Sequence, residues 1–399
     1  MTYRSLGIVS GLLHLFVALR LVPGLDRHLL GQLMLTAALA LSAALIPLGM
    51  RGFGALRQPW ADRLSWTGFV LMGHFSSLLL LTLLRDALLI LLWLVDAIRV
   101  SPFHGLSLTS TQSVVMVLVS ALVVSALGFW IARRTASIKR LNVPLKGLDP
   151  ALQGFTMVQI SDVHVGPTIK RDYLQRIVNK VNTLQADVVA VTGDLVDGSV
   201  AELAAHVAPL AGLKSRHGTF FVTGNHEYYS GAHAWINELK RLGLTVLINE
   251  HVVLYHSAQA QSADVQNSAQ GDSQIMAGLV LAGVTDYSAH HFDPAHRSDP
   301  RQALEGAPDS VRTRLLLAHQ PRSASAAAEA GFDLQVSGHT HGGQFFPWNF
   351  FVRFQQPYTA GLNLWGNMWV YTSRGTGYWG PPNRFGSPSE ITVLRLVQG

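Results

Sequence analysis

Long apolar runs are confined to the first third of the chain. Uncharged stretches cover residues 6–19, 29–50, 64–84 and 113–132. About 20 apolar residues span the hydrocarbon core of a bilayer, and the second and third runs, of 22 and 21 residues, reach that length alone. The first run reaches it if Arg20 extends its long side chain to the membrane interface. We therefore predict an all-α bundle of about four transmembrane helices within residues 1–132.

Two features of this region leave its details open. A further apolar run, residues 87–95, follows Arg85 and Asp86 and is too short to cross a bilayer alone. It either extends the third helix or lies at the membrane interface. His14 and His74 lie within predicted spans, where a lone polar group is expected to face a neighbouring helix.

After residue 150 the pattern changes to short apolar strands that alternate with amphipathic helices. Apolar residues follow helical spacing around 174–184, 232–242 and 323–330. This interleaving predicts a mixed α/β layered domain over residues 151–399. Residues 133–150, basic and then Pro- and Gly-containing, are interpreted as a linker, and the polar stretch 257–274 as a flexible insertion. Strands are predicted at 156–160, 188–191, 219–223, 252–255, 279–284, 315–318, 334–336, 368–372 and 391–396.

Composition fits this division. Hydrophobic residues make up 49% of the chain and charged residues only 14%, against about a quarter in ordinary soluble domains. The chain has no cysteine, which excludes disulfides and thiolate metal ligands. The sequence pI is about 9.7. Because much of the positive charge flanks the predicted spans, it does not indicate a nucleic-acid partner.

The distribution of Lys and Arg predicts an orientation. Four spans place the N-terminus and the C-terminal domain on one side of the membrane, and the side richer in Lys and Arg is usually the cytoplasm. The domain is therefore predicted to be cytoplasmic, with the external face as the alternative. The domain's side carries Arg4, Arg51, Arg57, Arg63, Arg133, Arg134, Lys139, Arg140 and Lys146, and the opposite side carries Arg20, Arg27, Arg85 and Arg99.

Five polar sets stand where predicted strands end. Open α/β sheets place their sites at the carboxyl ends of strands, so these sets are expected to meet. The last set lies in a glycine-flanked turn that can aim two imidazoles at one point. In chain order the sets contain Asp162 and His164, Asp194 and Asp197, Asn225 and His226, His319, and finally His339 and His341.

Together these side chains are three Asp, one Asn and five His, which offer oxygen and nitrogen donors without sulfur. Such donors suit Mn, Fe, Zn or Co. They are too many for one tetrahedral ion. They match two ions about 3.5–4 Å apart that share a carboxylate, an arrangement used for in-line attack on phosphorus.

The five motifs also resemble those of a known family. Asp-x-His, Gly-Asp-x-x-Asp, Gly-Asn-His-Glu, His and Gly-His-x-His, in this order, resemble the calcineurin-like metallophosphoesterase superfamily over residues 151–399, and residues 343–346 and 374–382 resemble its membrane-associated branch. The resemblance implies a calcineurin-like four-layer αββα sandwich with two mixed β-sheets. It also implies two divalent cofactor ions, of Mn, Fe or Zn.

The resemblance further implies a role for each motif residue. A hydroxide between the two ions would be the nucleophile. His226 would protonate the leaving oxygen or stabilise the transferring phosphoryl group, Asp197 would orient His226, and Glu227 would order its loop or hold a hydrogen bond behind the ligands. The implied metal ligands are Asp162, His164 and His341 for the first ion, Asn225, His319 and His339 for the second, and Asp194 bridging both.

The predicted function is hydrolysis of a phosphomonoester, phosphodiester or pyrophosphate bond by a multi-pass protein of the cell membrane. Membrane attachment makes a lipid-linked substrate a candidate by location, with the lipid bilayer as a partner. Residues 345–351, Phe-Phe-Pro-Trp-Asn-Phe-Phe, form either packed core or an apolar lip that touches lipid. Two alternatives stay open, a nucleotide phosphodiesterase or nuclease and a non-catalytic membrane sensor that binds metal and phosphate. The sequence specifies neither the metal, the substrate nor the oligomeric state.

Overall fold

The structure is a computed structural model that describes residues 3–26, 28–55, 57–98, 110–257 and 276–399. It divides into two compact units. One contains the described residues up to Arg133 together with Gly380–Gly386, and the other contains Arg134–Trp379 and Ser387–Gly399. The predicted insertion 257–274 lies outside the described residues, apart from Ser257.

The first unit contains the four predicted apolar helices. Each is long and apolar enough to cross a membrane. The run at 87–95 extends the third helix, which reaches 39 residues, or about 58 Å at 1.5 Å per residue. The helices are α1 (Tyr3–Leu21), α2 (Leu29–Ala55), α3 (Trp60–Ile98) and α4 (Ser110–Arg133).

Polar and small residues join these helices. The His14 ring contacts Ser42 Oγ through Nε2 at 3.0 Å, and the His74 ring contacts Ser125 Oγ through Nδ1 at 3.1 Å, so both histidines face neighbouring helices as predicted. Gly49 and Gly68 let α2 and α3 approach closely, because a Cβ on Gly49 would lie 2.6 Å from Gly68 Cα. The helical unit is therefore held by specific contacts between helices.

In the described part of the second unit, twelve strands form two mixed six-stranded sheets. The first has the order β1-β12-β2-β3-β4-β5, and the second has the order β10-β11-β9-β8-β7-β6. The strands are β1 (Ser137–Leu145), β2 (Thr156–Ile160), β3 (Val188–Thr192), β4 (Thr219–Val222), β5 (Thr245–Val246), β6 (Glu250–Ser257), β7 (Met276–Gly283), β8 (Thr313–Leu317), β9 (Leu334–Ser337), β10 (Gly361–Trp365), β11 (Met368–Thr372) and β12 (Glu390–Gln398).

The two sheets pack face to face. One buried cluster joins Met157, Val188 and Phe220 of the first sheet to Leu279 and Leu315 of the second. Helices cover the outer faces, as the predicted four-layer αββα sandwich requires. They are α5 (Arg171–Asn182), α6 (Val200–Val207), α7 (Asn225–Ser230), α8 (Ala232–Arg241) and α9 (Ala324–Ala330).

Local sequence explains the helices of this unit. In α5 the buried Leu174, Ile177, Val178 and Val181 recur at helical spacing on one face. Glu202 Oε2 accepts the backbone N–H of Ser199 at 3.0 Å, which caps α6. Helix α7 ends at Gly231, whose φ of +96° is readily adopted only without a Cβ.

The sequence located nine of the strands and missed β1, β5 and β10. Residues 133–150, interpreted as a linker, contain β1, which pairs in parallel with β12 at the edge of the first sheet. Its polar residues Lys139, Arg140 and Asn142 hid the strand pattern, because an edge strand needs to bury less of its surface. The basic segment is therefore part of the domain's sheet.

The sheet topology determines where the polar motifs lie. Strands β2, β3 and β4 are mutually parallel, and so are β7, β8 and β9. The five motifs follow β2, β3, β4, β8 and β9, so all of them leave their sheets at carboxyl ends of parallel strands.

Candidate metal centre

The loops that carry the predicted ligands share an unusual backbone conformation. Five of the seven predicted ligands have positive φ, between +51° and +70°. This left-handed region is uncommon for residues other than glycine, and such outliers cluster at functional sites. The turn lets each ligand leave its strand and point across the sheet edge. The five are Asp162, His164, Asp194, His339 and His341.

The first predicted ligand set lies together. His164 Nε2 is 3.0 Å from His341 Nε2, and His341 Nε2 is 3.5 Å from Asp162 Oδ1. All three side chains are nearly inaccessible to solvent. Their donor atoms form one of the groups close enough to hold a single ion.

The second set is equally compact. His319 Nε2 is 3.1 Å from Asp194 Oδ2 and 3.2 Å from His339 Nδ1. These three residues form another group able to hold an ion. Asn225 is buried at the start of α7, on the loop after β4.

Asp194 belongs to the second group and also approaches His164 of the first. Its Oδ1 accepts the backbone N–H of His226 at 2.9 Å, which leaves Oδ2 facing the histidines. Oδ2 lies 3.1 Å from His319 Nε2 and 4.0 Å from His164 Nε2. Asp162 Oδ1 likewise accepts the backbone N–H of His339 at 2.9 Å, and the same oxygen lies 3.5 Å from His341 Nε2. One oxygen of each carboxylate therefore fixes a loop.

Asp197 orients two histidines. Its Oδ1 accepts from His226 Nδ1 at 2.6 Å and from His164 Nδ1 at 3.1 Å. The predicted contact with His226 is therefore present, and the contact with His164 is an addition that the sequence did not reveal. Both imidazoles turn Nε2 toward the centre of the site. His319 is fixed similarly, because its Nδ1–H donates to the Thr192 carbonyl at 2.8 Å.

Glu227 orders the loop and lies outside both ligand groups. Its buried carboxylate accepts backbone N–H groups of Gly224 at 2.6 Å, Leu195 at 2.8 Å and Asp194 at 3.0 Å. This is the loop-ordering alternative left open by the sequence. The carboxylate ties the loop after β3 to the loop after β4.

Close backbone approach requires glycine behind the ligands. Gly193 has φ +81°, and a Cβ there would lie 2.5 Å from Gly224 N and 2.8 Å from His319 Nδ1. A Cβ on Gly338 would collide with Asp162 Oδ2 and Ser161 Oγ. The glycines of the motifs therefore allow the loops to converge.

Two buried oxygen atoms of the site have no hydrogen-bond partner, which bears on whether divalent ions fit the site. Among the described residues, Asp162 Oδ2 and Asn225 Oδ1 are buried without a hydrogen-bond partner. Such atoms are costly to bury unless something else compensates them. They belong to opposite ligand sets. Together with four ligand imidazoles and no sulfur, they fit two divalent cations.

The electrostatics of the ligands agree with this fit. Burial opposes a charge on His319, but the Asp194 carboxylate raises the pKa of His319 well above its usual value. Burial and then the nearby His319 charge lower the pKa of His339 to about 3. Burial also raises the pKa of Asp162. His319 Nε2 and His339 Nδ1 face each other at 3.2 Å beside Asp194, a place that a metal cation can take.

His226 lies beside these groups. Burial disfavours its charge, but the carboxylates of Asp194 and Asp197 raise the pKa of His226 to about 9. Its Nε2 is 4.0 Å from Asp194 Oδ2. His226 is therefore a cationic group in contact with the centre of the site.

Aromatic side chains border His226. The rings of Tyr229 and Trp379 lie 5.2 and 5.8 Å from its ring. Gln344 fixes the Trp379 backbone, donating to its carbonyl and accepting from its N–H, both at 2.8 Å. Beyond Gln344 lies a group of exposed aromatic side chains, here called the aromatic lip: Phe346, Trp348, Phe350, Phe351 and Phe354. Phe345 alone in this stretch joins the core.

Comparison with known proteins points to one family. The family model described as calcineurin-like phosphoesterase matches residues 155–343. The chain is similar to the transmembrane protein with metallophosphoesterase domain of Bos taurus, with 39% identity over 69% of the chain and 60% of that protein. It is similar to an uncharacterized metallophosphoesterase of Helicobacter pylori strain J99, with 38% identity over 68% of the chain and 66% of that relative. It is also similar to an uncharacterized metallophosphoesterase of Aquifex aeolicus, with 30% identity over 60% of the chain and 84% of that relative. The chain thus spans less than two thirds of the Bos taurus protein.

Divalent metal should stabilise the domain. Bound cations would pair Asp162 Oδ2 and Asn225 Oδ1, and ligands that bind only the folded state raise its stability by about 3 kcal/mol at a hundredfold excess over Kd. Adding Mn²⁺ to chelator-treated protein should therefore raise the midpoint of thermal unfolding by roughly 5 °C or more. Asp194→Asn should abolish most of this shift. An equal shift in wild type and variant would contradict the assignment.

Proposed function

Because the chain belongs to the calcineurin-like phosphoesterase family, we propose that it is a membrane-bound dimetal phosphohydrolase. The observation that carries this proposal is the convergence of nine side chains from five strand ends on one buried point, with two unpaired acceptors among them. A non-catalytic sensor needs metal ligands but no proton donor. The contact of His226 with the Asp197 carboxylate at 2.6 Å supports a proton donor beside the ligands.

We assign the metal ligands in two sets that meet at one carboxylate. Asp162, His164 and His341 hold one ion, Asn225, His319 and His339 hold the other, and Asp194 bridges them. The distances of 3.0–3.5 Å within the sets support this division. When bound, the two ions supply charge that activates water and neutralises the phosphoryl oxygens.

His226 is assigned as the proton donor to the leaving oxygen. Its Nδ1–H is held by Asp197, so its Nε2 faces the reacting group and is the nitrogen that can donate a proton. The cation also attracts the phosphate before the bond breaks. Asp197 acts as a positioning residue because it aligns both His226 and His164.

Activity should depend on these residues in a defined order. Asp194→Asn should remove metal-dependent hydrolysis of a chromogenic phosphodiester or phosphomonoester, since both ions lose a ligand. His226→Asn should lower kcat about 10²–10⁴-fold while two metal ions stay bound. Glu329→Gln, on the exposed face of α9, is the matched control and should keep full activity. Wild-type protein that binds two ions and hydrolyses no phosphoester, including lipids and nucleotides, would favour the sensor alternative.

The preferred substrate class is a phosphoester with an apolar part, and a lipid-linked phosphate fits it. Tyr229, Trp379 and the aromatic lip give the surroundings of the site large exposed aromatic surfaces; Phe354 is 77% exposed. Exposed apolar patches of this kind mark binding surfaces, and aromatic side chains favour membrane interfaces. A nuclease would instead need a basic groove along the nucleic-acid backbone.

The aromatic lip should separate lipid from soluble substrates. The double variant Phe351→Ser, Phe354→Ser should lower kcat/KM for a phospholipid or lipid pyrophosphate in vesicles by about 10-fold or more, because burying one Phe contributes roughly 1.5–3 kcal/mol. Hydrolysis of a small chromogenic ester should be unchanged. Tyr255 is an exposed aromatic residue on β6, an edge strand of the second sheet. The control variant Tyr255→Ser should change neither lipid hydrolysis nor hydrolysis of the small ester. Equal losses on both substrates would contradict a lipid role.

We further propose a multi-pass protein of the cell membrane with a cytoplasmic catalytic domain. Four apolar helices and the Lys and Arg bias of their flanks support this orientation. The chain has no native cysteine, so Ala326→Cys on the exposed face of α9 gives a single reporter. A membrane-impermeant maleimide should label it in inside-out vesicles only. Labelling of intact cells would place the domain outside.

A further inference from the structure

A second group of metal-ligating side chains lies outside the nine site residues. It consists of His233 in the first turn of α8, and Asp293 and His296 at a short helical turn after β7. His233 Nε2 is 2.9 Å from Asp293 Oδ2, and His296 Nε2 is 3.9 Å from the same oxygen. The three donor atoms lie within 4.8 Å of one another. The neighbouring residues place each donor in a defined position.

The two oxygens of the Asp293 carboxylate make different contacts. Its Oδ1 accepts the backbone N–H of Ala295 at 2.9 Å, which caps the turn. Its Oδ2 is left facing the two imidazoles. Asp194 shows the same division, with Oδ1 on the backbone N–H of His226 and Oδ2 toward histidines.

His296 is oriented from behind. Its Nδ1 lies 2.8 Å from Tyr228 Oη, and its carbonyl accepts the Thr285 hydroxyl at 2.7 Å. Because Nδ1 is engaged, Nε2 is the ring nitrogen that faces Asp293 and could bind an ion. The His296 side chain is only 12% exposed. Metal-ligating histidines commonly use the second ring nitrogen in this way. Burial also lowers the pKa of His296.

We propose that His233, Asp293 and His296 form a separate mononuclear transition-metal site of the zinc type. Three nitrogen and oxygen ligands with an open fourth position match zinc sites that keep a water or an external ligand. Tetrahedral ligands at 2.0–2.1 Å lie about 3.3 Å apart, within the 2.9–3.9 Å range of the contacts to Asp293. A cavity of about 320 Å³ beside the site, lined by Phe292 among others, gives that fourth position room.

The site would brace the helix that carries two residues of the dinuclear centre. Tyr228, which holds His296, belongs to α7, the helix that begins with Asn225 and His226. An ion would join the start of α8 to the loop after β7 and fix His296 against Tyr228. The proposed ion would therefore brace α7 from outside the nine residues of the dinuclear centre.

A third triad provides a matched contrast. Asp187, His217 and His256 also bring donor atoms together, with His217 Nε2 3.3 Å from His256 Nδ1. There, however, Arg216 Nη1 lies 3.4 Å from His256 Nδ1, which places a cation beside the donors. We expect that triad to bind no metal, so a variant in it serves as a control.

The test is the number of Zn²⁺ ions bound per full-length chain in detergent, measured by equilibrium dialysis of metal-free protein. Wild type should saturate at three ions. His233→Ala and Asp293→Asn should each saturate at two, and His217→Ala should keep three. Tyr228→Phe should keep three sites but weaken the affinity of one about 10–100-fold, as loss of a hydrogen bond to a ligand commonly does.

Wild type that binds no more ions than both His233→Ala and Asp293→Asn would overturn the proposal. Loss of the third ion in His217→Ala would assign it to the other triad instead. His233 is 71% exposed on its side chain, so its replacement leaves the core intact. The count does not involve hydrolysis. The number of bound ions can therefore be interpreted even if the protein hydrolyses no phosphoester. Asp194→Asn should still bind the additional ion.

Discussion

The geometry of the candidate metal centre depends on the buried carboxylate of Asp194. Asp194 is 2% exposed, donates its backbone N–H to Glu227 and accepts the backbone N–H of His226 through Oδ1, so only Oδ2 faces the histidines. An anion in such a place needs cations, because burial otherwise destabilises the charged form. In the protein alone, protonated His319 and then His226 lower the pKa of Asp194 despite its burial. Two metal ions would supply that charge instead.

The loops bear the conformational cost of this convergence. Five ligands adopt positive φ, and backbone strain of this kind costs of order 1–3 kcal/mol per residue unless the surroundings fix it. Here Glu227 fixes the loop after β3, and Asp162 Oδ1 fixes the turn at His339. Nearly all residues of the parallel strands behind the loops are buried, so a rigid scaffold supports the strained turns.

Patterns within a few residues made the site predictable from sequence. An apolar run followed by a short polar motif places Asp162 or His319 at a strand end, and the order of five such motifs predicted which side chains meet. The sequence could not reveal what depends on distant pairs. The Asp197–His164 contact, the edge strand β1 and the meeting of His233 with Asp293 each join residues that no local spacing connects. Charged Lys139 and Arg140 on β1 also resembled a linker, since an edge strand lacks the full apolar run.

The most direct test of the central claim is the anomalous scattering map of crystals grown with Mn²⁺. Two peaks about 3.5–4 Å apart should flank Asp194 Oδ2. One peak should contact Asp162, His164 and His341, and the other should contact Asn225, His319 and His339. A single peak, or none within reach of these side chains, would contradict the dinuclear centre on which the proposed hydrolysis depends.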